Sequence, residues 1–306
     1  MSVRATSQDR EPLVRPAPKF AGLDVIDVEK TYRTGAGAHT VVKACSFRLE
    51  PGSFTVMIGP SGAGKSTLVR LIAGFEPVTA GEIRMAGKPV RGPSRTRQVM
   101  FQETALFPWM TTHENVAYGP KARGEFTEGA RQIAASLAER MGLGRFHRLY
   151  PGQLSGGMQR RAELARAMMN EPDIMILDEP FRGLDAMTKR LMLEYYGDFS
   201  QESGRTNLFV TTDADEAVFL ADRILVMTGI PTRVRAVVEV GLPRPRRIAT
   251  LIDDERVGRL KAELLAMLHE EAAKTFTAGS RETAGSIGVR GGNLSEDRSR
   301  WRRPDA

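Results

Sequence analysis

Nine residues, Gly59-Pro60-Ser61-Gly62-Ala63-Gly64-Lys65-Ser66-Thr67, leave little freedom for the fold around them. They fit G-x-x-x-x-G-K-[ST], and they stand where that pattern has meaning. The short apolar run Phe54–Ile58 precedes them, and an amphipathic segment from Lys65 to Ala73 follows and ends at Gly74. Strand, glycine loop and helix are therefore predicted in succession. Glycines let such a loop turn its backbone N–H groups inward, and the positive end of the following helix adds to them. The nine residues are read together as a phosphate cradle. Lys65 brings a full charge to the β- and γ-phosphates, and the Ser66 hydroxyl is a hard oxygen ligand for Mg²⁺.

A second run, Ile174-Met175-Ile176-Leu177-Asp178-Glu179-Pro180, ends an apolar strand in two acids. Alone it is equally a strand end with two solvated carboxylates. Beside a phosphate loop it takes on chemistry. Asp178 belongs in the Mg²⁺ shell, and Glu179 accepts a proton from an attacking water or polarises it. This reading sets the strand ending at Asp178 next to the loop.

The rest of the chain alternates in the same style. Leu23–Val28 and Cys45–Leu49 have strand periodicity, glycines at 81, 87 and 92 punctuate a hairpin-like stretch, and Gln98–Phe101 is another strand. From Thr111 to Asn170 the pattern turns helical, with Leu137, Met141, Leu164 and Met168 at helical spacing. Asn207–Val210 and Ile224–Met227 complete the core strands, with a helix from Asp213 to Ala221 between them. Strands alternating with helices imply an α/β fold with a mainly parallel sheet and an inserted helical subdomain. Past Gly241 a proline- and arginine-rich linker leads to one amphipathic helix over about 253–273, with Val257, Leu260, Leu264, Leu265 and Leu268 on its apolar face.

Composition excludes several classes. One cysteine, Cys45, rules out a disulfide framework within the chain, and the four histidines stand far apart, so no protein-only metal site is expected. No apolar run reaches the ~18–20 residues of a membrane span. Residues 1–19 are polar and hold four basic residues, so no secretory signal is expected there. The net charge of +7 sits mainly in the tails: residues 1–20 carry four basic and two acidic side chains, and residues 231–306 carry fifteen and eleven. A nucleic-acid partner is not expected from a core so nearly neutral.

Leu154-Ser155-Gly156-Gly157-Met158-Gln159 precedes a helix. In isolation its Ser155 is a plain helix N-cap. Its place between the phosphate loop and the two acids gives it another meaning. Here the chain resembles the nucleotide-binding subunits of ATP-binding-cassette (ABC) transporters, over about residues 21–240. Gly59–Thr67 matches Walker A, Gln102 the Q-loop, Leu154–Gln159 the signature, Ile174–Glu179 Walker B, and Gly183-Leu184-Asp185 the D-loop. The stretches Phe101–Met110 and Glu179–Ala186 look most like the nitrate/sulfonate/bicarbonate/taurine importer group.

The resemblance implies a P-loop NTPase (RecA-like) core with an antiparallel β part on the N-terminal side. The expected organisation is a disordered lead at 1–20, an ATPase domain at 21–240 with helices inserted at about 103–165, a linker and helix at 241–275, and a disordered tail at 276–306. It implies ATP and Mg²⁺, with two subunits, alike or different, packed head to tail. Ser155, Gly156, Gly157, Gln159 and Asp185 then face the ATP held by the partner's loop. Gln102 senses the metal and the γ-phosphate. Tyr32 stacks on adenine, unless it is a core tyrosine at a strand end. Phe107-Pro108-Trp109 either meets an integral-membrane permease or packs inside the helical part. An extracytoplasmic solute-binding protein completes the importer, and the subunit sits peripherally on the cytoplasmic face of the inner membrane.

One position departs from the family pattern. In Val210-Thr211-Thr212-Asp213-Ala214-Asp215-Glu216 the family usually has histidine where this chain has Thr212. Threonine is shorter and stays neutral, which implies slow hydrolysis at the site built on this chain's own loop unless a nearby group, such as Asp213 or a residue of a partner chain, compensates. Two other functions compete with transport: a soluble ABC-type ATPase of DNA repair or translation, and a weakly hydrolysing nucleotide switch.

Overall fold

The computed structural model describes residues 22–35 and 37–287; the lead at 1–20 and the tail from 288 fall outside them. Strands β1 (Leu23–Thr34), β2 (Gly37–Leu49), β4 (Ala80–Met85) and β5 (Lys88–Pro89) form an antiparallel sheet in the order β2-β1-β4-β5. Six more strands form the central sheet: β3 (Phe54–Ile58), β6 (Arg97–Met100), β7 (Ile174–Asp178), β8 (Thr206–Thr211), β9 (Arg223–Met227) and β10 (Val234–Glu239). Their order is β10-β9-β3-β8-β7-β6, parallel throughout except for β10 at the edge.

Every residue of β3, β7 and β8 is buried, as expected for parallel strands covered on both faces. The alternation of side chains divides the core in two. Val56 and Ile58 with Met175 and Leu177 face one cluster, while Met57 with Ile174 and Ile176 faces the other. The second cluster receives α1 (Lys65–Ala73) through Leu68, Leu71 and Ile72, and also takes in the antiparallel sheet. The first receives the remaining helices. Phe54 meets Tyr196 in a T-shaped contact and Phe209 at a tilt, and the Tyr196 hydroxyl donates to Asn207 Oδ1 at 2.5 Å.

Between β6 and β7 lie α2 (Thr112–Val116), α3 (Tyr118–Ala122), α4 (Glu128–Arg140) and α5 (Gly156–Met168). Thr111 and Glu114 cap α2 reciprocally. Buried Asn115 organises the preceding loop: its amide donates to the carbonyls of Phe107, Met110 and Thr111, and its oxygen accepts from Phe107 N–H. After β7 come α6 (Ala186–Ser203), α7 (Ala214–Leu220), α8 (Ile248–Leu251) and α9 (Glu255–Ile287).

Asp178 lies at the loop although β8 separates β7 from β3, since α1 crosses the sheet face toward β7. Three readings change. The sheet does not end at Ile224–Met227, because β10 adds an antiparallel edge. Leu265 does not belong to the buried stripe of α9. It is 54% exposed, while Val257 and Leu264 are buried and Leu260 and Leu268 pack partly against the core. The helix also continues past Ala273 to Ile287.

Because Leu264 is fully enclosed, Leu264→Ala should destabilise the whole chain by about 2–5 kcal/mol. Urea denaturation followed by circular dichroism reads this as a lower midpoint of a single transition. A separate early transition would mean that α9 unfolds independently of the core.

Candidate active site

The loop leaves β3 at buried Gly59 and enters α1 at Lys65. Gly62 (φ 74°) and Gly64 (φ 81°) take left-handed backbone conformations there. Gly64 also has no room for a side chain: a Cβ would come within 2.6 Å of Thr232 Oγ1 and 2.8 Å of Val41 Cγ1. Thr232 braces the loop from behind. Its hydroxyl donates to the Ala63 carbonyl, and its backbone N–H is held by the Val41 carbonyl at 2.7 Å.

No side chain caps α1, so the N–H groups of its first turn have no side-chain partner and the helix dipole lies behind them. Lys65 is buried, and its ammonium donates to the carbonyls of Gly59 and Pro60, each at 2.8 Å. Burial lowers its pKa, an effect that Glu179 and Asp178 oppose. Ser66 is exposed, and its hydroxyl stands near the Asp178 carboxylate. Burial raises the Asp178 pKa; the Ser66 hydroxyl and Lys65 pull it back, while Glu179 pushes it up further.

Glu179 follows directly, with φ 46°, a region uncommon for a residue with a side chain. Its N–H is held by Val210 O at 2.9 Å, and Arg182 donates to its Oε2 at 3.0 Å. An uncapped helix start, a buried lysine bonded to carbonyls and a hydroxyl–carboxylate pair converge at one end of the sheet. Together they suit a polyphosphate carrying a hard cation.

The other sequence-selected residues divide into those near the loop and those away from it. Tyr32 is half-buried and packs against the edge of the second core cluster. Its hydroxyl donates to Glu76 at 2.6 Å, and it lies close enough to Thr67 to bond it. Gln102 is exposed, but its carbonyl is held by the Arg160 guanidinium of α5. Arg160 also pairs with Glu163 at 2.6 Å, with both side chains only 5% exposed. The Gln102 segment is thus fastened to the helix that Ser155 opens.

Ser155 caps α5 by accepting Met158 N–H, and Gln159 donates to the carbonyls of Pro151 and Leu154. Gly156 is exposed, and a Cβ on Gly157 would sit 3.5 Å from Leu184 and Thr188. None of these partners belongs to the loop at 59–67. Asp185 caps α6, its carboxylate accepting from Met187 and Thr188. Thr212 is exposed at the end of β8.

Several residues of the site escaped the sequence reading. Arg182, Thr232, Lys189 and Glu216 form no motif with the glycine loop. Lys189 pairs with Asp213 and Glu216 across two elements, a pairing that no local spacing in the sequence marks.

The geometry has counterparts among known proteins. A family model described as "ABC transporter" matches residues 42–182. The nitrate import ATP-binding protein NrtD of Synechococcus elongatus is 37% identical over 249 residues, covering 80% of this chain and 91% of that protein. The aliphatic sulfonates import ATP-binding protein SsuB of Bacillus cereus is 37% identical over 224 residues, covering 73% and 88%. The chain belongs to the ABC transporter ATP-binding family. Among solved structures, the dimeric post-hydrolysis state of the ATP-binding cassette MJ0796, bound to ADP and Pi, aligns with a TM-score of 0.64 at 28% identity. It covers 72% of this chain and 100% of that one. In this cassette, no helix among the described residues is long and apolar enough to cross a membrane.

Gly64→Ala would set a left-handed alanine against Thr232 and Val41. The cassette should then lose at least about tenfold in affinity for magnesium-ATP, equivalent to ~1.4 kcal/mol. Isothermal titration calorimetry measures this directly.

Proposed function

We propose that this cassette is the ATP-hydrolysing subunit of an importer for a small oxyanion-type solute of the nitrate or sulfonate kind, with two cassettes working head to tail beneath a permease. The observation that carries the chemistry is the convergence of Lys65, Ser66, Asp178 and Glu179 at the C-terminal end of the parallel sheet. The solute class is taken from the import proteins the chain is similar to.

In this reading the amides of Gly59–Thr67 and the Lys65 ammonium bind the phosphates, and Tyr32 lies against the adenine. Ser66, Asp178 and Gln102 supply oxygen ligands for Mg²⁺, which offsets phosphate charge when bound. Glu179 takes the proton of the attacking water. Its fixed backbone and the Arg182 pair set the direction of the carboxylate. Ser155, Gly156, Gly157, Gln159 and Asp185 bond away from their own loop, which suits residues that serve the partner's nucleotide. Thr212 stands where a longer, ionisable side chain usually assists, so turnover is slow.

The loop at 101–110 suits a permease contact. Trp109 is 69% exposed, stacked at 5.4 Å on a Phe107 ring that Tyr118 and Arg166 also hold. A rigid exposed indole is a frequent interface anchor. An extracytoplasmic solute-binding protein would deliver cargo, with the cassette peripheral on the cytoplasmic face of the inner membrane. A weakly hydrolysing switch is the second reading, favoured by Thr212 alone.

Glu179→Gln should retain ATP binding while losing turnover by about 10²-fold or more. Dimers that persist with ATP should be visible by size exclusion. Thr212→His should raise kcat by up to about 10²-fold. If the native chain is already as fast as Thr212→His in a phosphate-release assay, Thr212 is no handicap.

A further inference from the structure

The segment around Thr212 is held from outside by two lysines: Lys261 of α9 pairs with Asp215, and Lys189 of α6 grips the turn itself. Lys189, on α6, donates from its ammonium to Asp213 Oδ2 at 3.1 Å, and its contact with Glu216 Oε1 is also 3.1 Å. These carboxylates flank Thr212 in a closed set of bonds. Thr211 donates its hydroxyl to Glu216 Oε2 at 2.6 Å and accepts the Asp213 N–H at 3.0 Å. Asp213 Oδ1 caps α7 by accepting from Asp215 and Glu216. Thr211 and Glu216 are buried, while Thr212 between them is exposed. Burial disfavours the Lys189 ammonium, but Glu216 and Asp213 together outweigh it and hold its pKa above that of an ordinary lysine.

The same lysine belongs to the helix that Asp185 opens. Lys189 N–H donates to Asp185 O at 2.8 Å in the first turn of α6, while the Asp185 carboxylate caps that turn. Gly157 lies against Leu184 and Thr188 of this region. A cavity of about 450 Å³ opens beside Lys189, Asp213 and Glu216.

We propose that Lys189 is a positioning residue for hydrolysis: it ties the turn bearing Thr212 to the Asp185 end of α6, so that Thr212 is aimed only when that end is in place. This rests on the hydrolytic reading of the site. Lys189 touches neither the loop nor the two acids of β7 in this chain, so its effect must pass through Thr212.

The test uses the full chain with magnesium-ATP and a double-mutant cycle. Lys189→Met should lower kcat about tenfold with KM for ATP changed less than about twofold, and Lys189→Arg should recover most of the loss. In a Thr212→Ala background, Lys189→Met should cost less than a further twofold or so, because the group it positions is gone. Losses that multiply across the two sites would overturn the proposal, as would a Thr212→Ala chain as fast as the native one. A Lys189→Met loss that Lys189→Arg does not rescue, accompanied by a lower melting temperature, would mean that the lysine only stabilises the fold. A Lys65→Ala chain that hydrolyses ATP at the native rate would instead overturn the assignment of the site itself.

Discussion

The site depends on the junction between β3 and α1, where the helix begins without a side-chain cap. The N–H groups of that turn and the buried Lys65 ammonium form a concentrated positive field at the sheet end. Gly64 is held in a conformation and a space that only glycine fits, so the loop has one shape. Thr232 and Val41 supply that constraint from the β9–β10 turn and from β2. The cradle is therefore shaped by both sheets.

Around this point the molecule is organised as linked segments, each fastened by ion pairs that are buried or partly buried. Arg160 and Glu163 hold the Gln102 segment to α5. Lys189 with Asp213 and Glu216 holds the Thr212 turn to α6. A buried charge pair left without one partner is costly, so such fastenings tend to keep or break contact rather than stretch. This suits segments that move as units. Glu271 gives α9 a similar attachment, accepting the Gly229 N–H and pairing with Arg235.

Much of the fold was legible in the chain. The run Phe54–Ile58 and the segment Lys65–Ala73 correspond to β3 and α1, because a continuous apolar run and a glycine stop are strong local signals. The alternation at 174–178 and 207–210 likewise marks β7 and β8. β10 was missed because its burial is only partial and its sequence mixes charge with valine. Leu265 was misread because helical periodicity gives a stripe but not its width; packing against the core stops one residue short of it.

The sequence by itself determined the chemistry: a glycine loop with Lys65 and Ser66, and two acids at the end of an apolar strand, need no tertiary information to be read as a nucleotide site. Only the tertiary structure decided how these parts meet. Strand order is a long-range choice, and it set β8 between the loop strand and the strand of Asp178. The grip of Thr232 on Ala63 and of Lys189 on the Thr212 turn follows from that assembly. Side chains far apart in sequence, or on different elements, leave no local periodicity by which to pair them.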